Sequence, residues 1–451
     1  MEAGLQKQAT EKLMYIVMVT LALSAMSVLM FNLVLPQIRD QFAITNAQVS
    51  WVTSAYTLIY GIGTVIYGKL ADRYKLKNLL TFGLLVFAFG SLVGFSAQAF
   101  WMVLAGRCLQ AVGAASIPAS AMLIPLRYFP PERRGTAMGT AFMGLAIGSA
   151  LGPVLSAFIV STLHWRWLFL FPFLLLLTLP FYHRYLGDDQ GSPERMDWLG
   201  GGLLAAAVTA LLLGVTTGTV WFAIGGIVSL LLFIARIRTF SAPFIAPALF
   251  QNRTYTLGVT ITFLISGMGF SLHFLSPLLL AQVNELPAGW IGFSLVPGAV
   301  ASAIWGRKGG KIADTKGNSF LFFIAVSLLI GCFALLSTFI GVSAVWIALF
   351  LIFGNVGLTF IMIAMSNSVS RTLSKEQSGV GMGLLSMMNF IAGAMATGIY
   401  GRLVDLGQVN PWNPAHLYST GAIYSNIFLV LAFALAVIAW VYYHNFRRNS
   451  Q

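Results

Sequence analysis

A chain of 451 residues that is 58% hydrophobic and 9% charged lacks the polar shell of a water-soluble domain, which carries about 25% charged residues. Its apolar stretches are long and continuous rather than short and alternating. This excludes an outer-membrane barrel and leaves a polytopic α-helical membrane protein. The net charge of +13 is gathered in short loops between apolar runs. That placement points to the cytoplasmic membrane surface and away from nucleic acid.

In chain order, residues 1–12 are polar and lead into a full-length span with no A-x-A-like site, so no removable leader is expected. Runs of roughly 18 residues or more fall at about 13–35, 49–71, 79–97, 99–125, 136–160, 166–186, 198–218, 219–237, 254–282, 289–306, 319–339, 343–366, 380–404 and 421–443. That predicts fourteen transmembrane helices. With this count, 22 of the 26 Lys and Arg residues fall in the tails and even-numbered loops. So lopsided a split predicts that both termini are cytoplasmic. Cys108 and Cys332 lie inside apolar runs and read as small buried hydrophobes.

The sequence repeats. GKLADRYKLK (68–77) follows the second run, and GKIADTKGN (310–318) follows the tenth. RGTAMG (134–139) opens the fifth run, and SGVGMG (378–383) opens the thirteenth. Both offsets equal eight helices. Two six-helix bundles are therefore expected, at 1–187 and 254–451, with two additional helices and their linkers at 188–253.

Particular residues stand out against this background. Asp72 ends the second run, where a carboxylate can pair with Arg133 or Arg134 and face the N-terminus of the thirteenth; Asp314 is its counterpart. Gly144, Gly148 and Gly152 recur every fourth residue and clear one face of the fifth helix, which Pro153 then kinks. Arg107 is the one basic residue deep in a span, at a cost of at least about 2.5–3.5 kcal/mol, with Gln110 on the same face. It either pins helices through backbone carbonyls or forms a polar cavity wall.

None of the thirteen acidic residues lies deep in an apolar run. The proton-carrying candidates are His273, whose unperturbed pKa of about 6.5 suits the task, and Asp40 at the outer end of the first span. A cavity that is positive and free of carboxylates favours neutral, zwitterionic or anionic amphiphiles over simple organic cations. Asn32, Tyr56, Tyr60, Asn355, Asn367 and Asn389 are further polar positions that can line a path. No P-loop, metal-ligand cluster or nucleophile–base arrangement is present in the sequence.

GKLADRYKLK resembles the loop signature of the major facilitator superfamily, with Gly68, Leu70, Asp72, Arg73 and Lys77 matching and Lys75 where that family usually has glycine. RCLQAVGAA (107–115) is similar to its span-4 motif. GSALGPVLSA (148–157) is similar to the span-5 motif of its antiporter branch. NLVLPQI (32–38) and PALFQNR (247–253) resemble segments of the fourteen-span drug:proton antiporters, and the tetracycline exporters of Gram-positive bacteria in particular. The resemblance implies alternating access, a clasp at Asp72 that favours the outward-open state, and a substrate site near the midplane between the bundles. Those exporters carry membrane-embedded carboxylates in spans 1, 5 and 13. The corresponding positions here are Val28 (or Ser27), Ser149 and Gly393.

The expected function is export of small amphiphilic compounds, tetracycline-like or multidrug efflux, in exchange for protons. The expected protein is a monomer in the cell membrane that uses no cofactor or metal and binds no nucleic acid. It is not an enzyme. Two alternatives stand beside this: a transporter of an endogenous metabolite or lipid without proton coupling, and a non-transporting membrane sensor.

Overall fold

A computed structural model describes residues 2–31, 34–44, 46–187, 197–217, 219–240, 243–374, 377–405, 407, 410–415 and 421–446. The helices are α1 (Glu2–Met30), α2 (Leu35–Phe42), α3 (Asn46–Ala71), α4 (Leu76–Phe95), α5 (Phe100–Ala114), α6 (Ser116–Tyr128), α7 (Arg134–Thr162), α8 (Leu179–Tyr185), α9 (Trp198–Thr217), α10 (Val220–Thr239), α11 (Ala248–Gln251), α12 (Arg253–Gln282), α13 (Ala288–Lys316), α14 (Asn318–Thr338), α15 (Ala344–Ser370), α16 (Ser378–Asp405) and α17 (Ala422–Phe446). Pro131–Arg133, Trp165–Phe169 and Phe171–Thr178 are 3₁₀ segments, and the described residues contain no strand.

Among the described residues, eleven helical stretches are long and apolar enough to cross a membrane. The other three sequence runs are helical as α3, α9 and α13, with α9 apolar over the shorter stretch Trp198–Leu211. The run at 99–125 is broken at Ala115, between α5 and α6. Pro118 in the first turn of α6 has no N–H to return to Ala114, and the Ser116 hydroxyl takes the Gly113 carbonyl at 2.8 Å. The run at 166–186 is largely 3₁₀, with Pro172 and Pro180 each withholding an α-helical donor.

The chain divides into two compact units. One comprises residues 1–131, 147–256 and 369–391. Here α4 and α5 lie backbone to backbone, because Gly83, Gly90, Gly94, Gly106 and Gly113 leave no side chains between them: a Cβ at Gly90 would sit 2.6 Å from the Gln110 nitrogen. Phe31, Val52, Val103, Trp165 and Phe169 belong to one cluster of buried side chains. Gly148 and Gly152 seat α7 against Ala22 and Met26 of α1, and the Ser156 hydroxyl donates to the Met30 carbonyl at 2.7 Å. In the α9–α10 pair, buried Asp197 accepts Gly200 N–H at 3.0 Å and pairs with Arg236 at 3.2 Å. Most of α10 is an exposed apolar surface.

The other unit comprises residues 132–146, 257–368 and 392–451. Stacked rings, Phe322 on Tyr442 at 3.7 Å and Phe333 on Phe428 at 5.8 Å, lock α14 to α17. Asn413 reaches from the segment before α17 to the Ser337 hydroxyl at 2.9 Å, and Ser337 in turn donates to the Ser425 carbonyl.

Candidate functional site

The loop after α3 turns without glycine. Arg73 and Tyr74 N–H both return to the Leu70 carbonyl, at 3.0 and 2.8 Å, and Lys75 enters α4 at φ −58°, ψ 129°. A negative φ suits any L-residue, so Lys75 fits. The counterpart after α13 does use glycine: Gly317 has φ 89°, in the region that side chains avoid.

Asp72 is held at this turn with its carboxylate on the N-terminus of α16. It accepts Gly379 N–H at 3.0 Å and Val380 N–H at 3.2 Å. These are helix-end donors without partners inside the helix, and the dipole there favours negative charge. Arg127 lies 3.8 Å from the same carboxylate and donates to the Ala71 carbonyl at 2.7 Å. Arg127 is thus a cation set beside Asp72, with Lys69 also within electrostatic reach. Arg133 ends the short 3₁₀ segment and Arg134 begins α7, both half-buried. Burial pushes the Asp72 carboxyl up to about 7, while the Val380 N–H, Arg127, the Gly379 N–H and Lys69 pull the other way. Arg73 turns aside, its guanidinium 5.3 Å from the Tyr74 ring.

Asp314 makes the same arrangement on α7. It accepts Gly135 N–H at 2.8 Å and Thr136 N–H at 2.7 Å, and the Thr136 hydroxyl as well. The glycines follow suit. A Cβ on Gly68 would overlap Gly379 and reach 3.3 Å from Gly383 Cα; one on Gly310 would overlap Gly135; one on Gly306 would lie 3.1 Å from the Gly139 carbonyl. The two echoed motifs, GK-x-AD and G-x-x-x-G, are therefore partners. Each aspartate reaches a helix end because glycines let the backbones touch.

Arg107 occupies a different environment. It is fully buried and lies between two rings, Phe31 at 4.2 Å and Tyr56 at 3.9 Å. Its Nε donates to the Val52 carbonyl at 3.3 Å, and its Nη1 to the Ser27 carbonyl at 3.3 Å and to Gln110 Oε1 at 3.0 Å. Gln110 passes its amide to the Ser91 hydroxyl at 2.7 Å. The bonds to the Val52 and Ser27 carbonyls are those of a side chain that pins neighbouring helices. Tyr60 stacks next to Tyr56 at 5.8 Å and meets Phe390 edge-on at 4.8 Å.

The remaining sequence candidates lie on several different helices. Asn32 lies outside the described residues, as does the side chain of Pro153. Asp40 is exposed and pairs with Arg39 at 2.7 Å. Ser149 and Asn389 are half-buried, on α7 and α16. Asn355 donates to the Leu351 carbonyl of its own helix at 2.9 Å, and Asn367 to Asn318 at 2.8 Å. His273 lies on an accessible face of α12, 6.1 Å from the Phe270 ring. That ring fills the space beside Gly393. Gly144 is buried on α7. Sequence reasoning missed Arg127, Ser91, Thr136 and Phe31. Arg127 resembled any cytoplasmic loop charge, and the other three carry no signal of their own.

A solved structure shares this fold, and curated proteins are similar in sequence. The crystal structure of the human organic anion transporter MFSD10 (TETRAN) superposes with a TM-score of 0.69 over 94% of this chain and 99% of that one, at 17% identity. Multidrug resistance protein 3 of Bacillus subtilis is 28% identical over 69% of this chain, which spans 63% of that protein's length. Lincomycin resistance protein LmrB of Listeria monocytogenes is 27% identical over 84% of this chain and 83% of its own. The family model for the Major Facilitator Superfamily matches residues 17–397. With that match across most of its length, an all-helical fold and its run of membrane-crossing helices, the chain belongs to the Major Facilitator Superfamily, multi-pass membrane transporters of small molecules and not enzymes.

Proposed function

We propose that the protein exports small amphiphilic compounds by alternating access, in exchange for protons, through fourteen membrane-spanning helices with both termini in the cytoplasm. The observation that carries this reading is the doubled clasp. Asp72 and Asp314 each hold the N-terminus of a helix from the opposite half of the sequence. Contacts made by one carboxylate on two N–H groups can be broken and remade whole, which is what a two-state transport cycle needs. The names of two relatives, for multidrug and for lincomycin resistance, support a drug-like substrate.

In this reading Asp72, Asp314, Gly68, Arg73, Arg133 and Arg134 belong to the gate, joined by Arg127. Gly144, Gly148, Gly152 and Pro153 give α7 the smooth face for a rocking motion. Asn32, Tyr56, Tyr60, Arg107, Gln110, Ser149, His273, Asn355 and Asn389 are the residues assigned to the substrate path. His273 and Asp40 are the assigned proton carriers. A second reading, transport of an endogenous metabolite or lipid without proton coupling, is favoured by the lack of any acidic residue deep in an apolar run.

Uptake of tetracycline and of lincomycin into everted vesicles, with and without an imposed pH gradient, tests both. Uptake that collapses when the gradient is dissipated supports the exchanger. Uptake that ignores the gradient favours the second reading. No uptake above empty vesicles rejects drug export.

A further inference from the structure

A guanidinium has five N–H donors. Arg107 commits three of them, one on Nε and two on Nη1. The two on Nη2 are buried and meet no acceptor among the described residues. Two rings lie over the guanidinium, at 4.2 and 3.9 Å, and its Nη2 edge remains for a further ligand.

The charge is equally unanswered. The helices that touch it, α1 through Ser27 and Phe31 and α3 through Val52 and Tyr56, bring two carbonyls and two rings but no carboxylate. Along α1 the acidic residues are Glu2 and Glu11, at its far end, and Asp40 on α2 is exposed and paired with Arg39. An uncompensated buried ion is costly, and ring contacts offset that cost without neutralising the charge. Two further buried hydroxyls, on Ser27 and Tyr56, lie close to one another beside the guanidinium and have no other partner among the described residues. Unused N–H groups, unused hydroxyls and an unneutralised cation together describe one kind of complement, a small group that is negative and accepts hydrogen bonds.

We propose that the Arg107 Nη2 edge, with the Tyr56 and Ser27 hydroxyls, is an anion-recognition site that takes the carboxylate or a similar monoanionic group of an amphiphilic substrate. The same chemistry suits a free small anion such as chloride, and the test separates the two sources. The proposal rests on the transporter reading only for access, since the wall is closed here and must open during the cycle.

The test is thermal melting of the purified full-length protein in detergent, in gluconate buffer at about pH 7.5, where a carboxylic acid is ionised. The probes are 4-phenylbutyrate, its neutral isostere 4-phenylbutanol, and sodium chloride. The expected result is a saturable rise in melting temperature with phenylbutyrate and none with phenylbutanol. R107Q is expected to raise the half-saturating concentration roughly tenfold or more, about 1.4 kcal/mol of binding. Tyr56→Phe keeps the ring, removes one hydroxyl and is expected to weaken binding a few-fold. A saturable, Arg107-dependent rise with chloride also supports the site and identifies a free anion as its occupant. Equal responses to the acid and the alcohol in the wild type overturn the proposal, even if R107Q fails to fold, and so does an R107Q that binds the acid unchanged. Anion binding without vesicle uptake of any drug counts against the transporter reading alone. Drug uptake without anion-selective binding counts against this site alone.

Discussion

Asp72 Oδ1 accepts the backbone N–H of Gly379 at 3.0 Å, across 307 positions of sequence. The bond is possible because Gly68, one turn earlier on α3, lets the α16 backbone close to contact. Asp314 and Gly135 repeat the relationship at 2.8 Å, with Gly310 in the place of Gly68. Charge at a helix end and absence of side chains at the crossing are one device here, used twice.

Replacing either aspartate by asparagine keeps the shape and removes the charge. Each hydrogen bond to a charged group is worth about 1.5–3 kcal/mol. Asp72→Asn and Asp314→Asn are each expected to lower vesicle uptake on the order of tenfold or more, with normal insertion judged by membrane-fraction yield. Unchanged uptake in both variants rules out the clasp.

The raised pKa of Asp72 gives a pH dependence with a definite sign. With a folded-state value of about 7 against an ordinary 3.8, the folded protein holds the proton over a window where the unfolded chain has lost it. The contribution of this group to stability therefore falls as pH rises from about 4 to about 7 and is flat above. Melting of the wild type minus that of D72N, measured from about pH 5 to 8, is expected to decrease and then level. An increase would mean that the N–H donors and Arg127 outweigh burial.

The glycines separate into two kinds. Gly310→Ala drives a Cβ into the Gly135 backbone, which cannot move aside as a flexible side chain would, and is expected to cost about 1–3 kcal/mol in thermal unfolding. Gly202 on α9 has open space where its Cβ would go. Gly202→Ala is expected to be neutral or to stabilise by up to about 1 kcal/mol. Similar losses from both substitutions would remove the case for backbone contact at Gly310.

Asp197 caps α9 and grips Arg236 of α10 from a buried position. Asp197→Ala removes a cap worth about 1 kcal/mol and a charge-assisted bond worth about 1.5–3 kcal/mol. Arg236 retains partial access to water, so the expected loss lies near the lower end of that sum. Differential scanning of the two proteins in the same detergent measures it. A change within error would leave the α9–α10 pair held by apolar packing alone.

His273→Gln probes the proton carrier. If the imidazole carries the proton, gradient-driven uptake falls at least about tenfold, while gradient-independent exchange of preloaded substrate continues. Equal loss in both assays assigns His273 to the substrate path instead.

The membrane class, the helical runs, the internal duplication and the unusual placement of Asp72, Asp314 and Arg107 were all legible in the sequence. Each depends on a local property: hydropathy sets a span, charge in a loop sets its side, and an ion in an apolar run stands out against its neighbours. The break at Ala115 and the 3₁₀ course of Trp165–Thr178 were not legible, because they depend on which carbonyls the prolines leave unpaired and what packs beside them. Nor was Arg127 distinguishable from other basic residues at helix ends as the cation beside Asp72. Only tertiary structure showed that the echoed glycine motifs meet the echoed aspartate loops. Only it showed Arg107 held between Phe31 and Tyr56 with one edge unmatched. Pairing between positions hundreds of residues apart is set by backbone approach in space, and a sequence read from end to end carries the partners but not their distance.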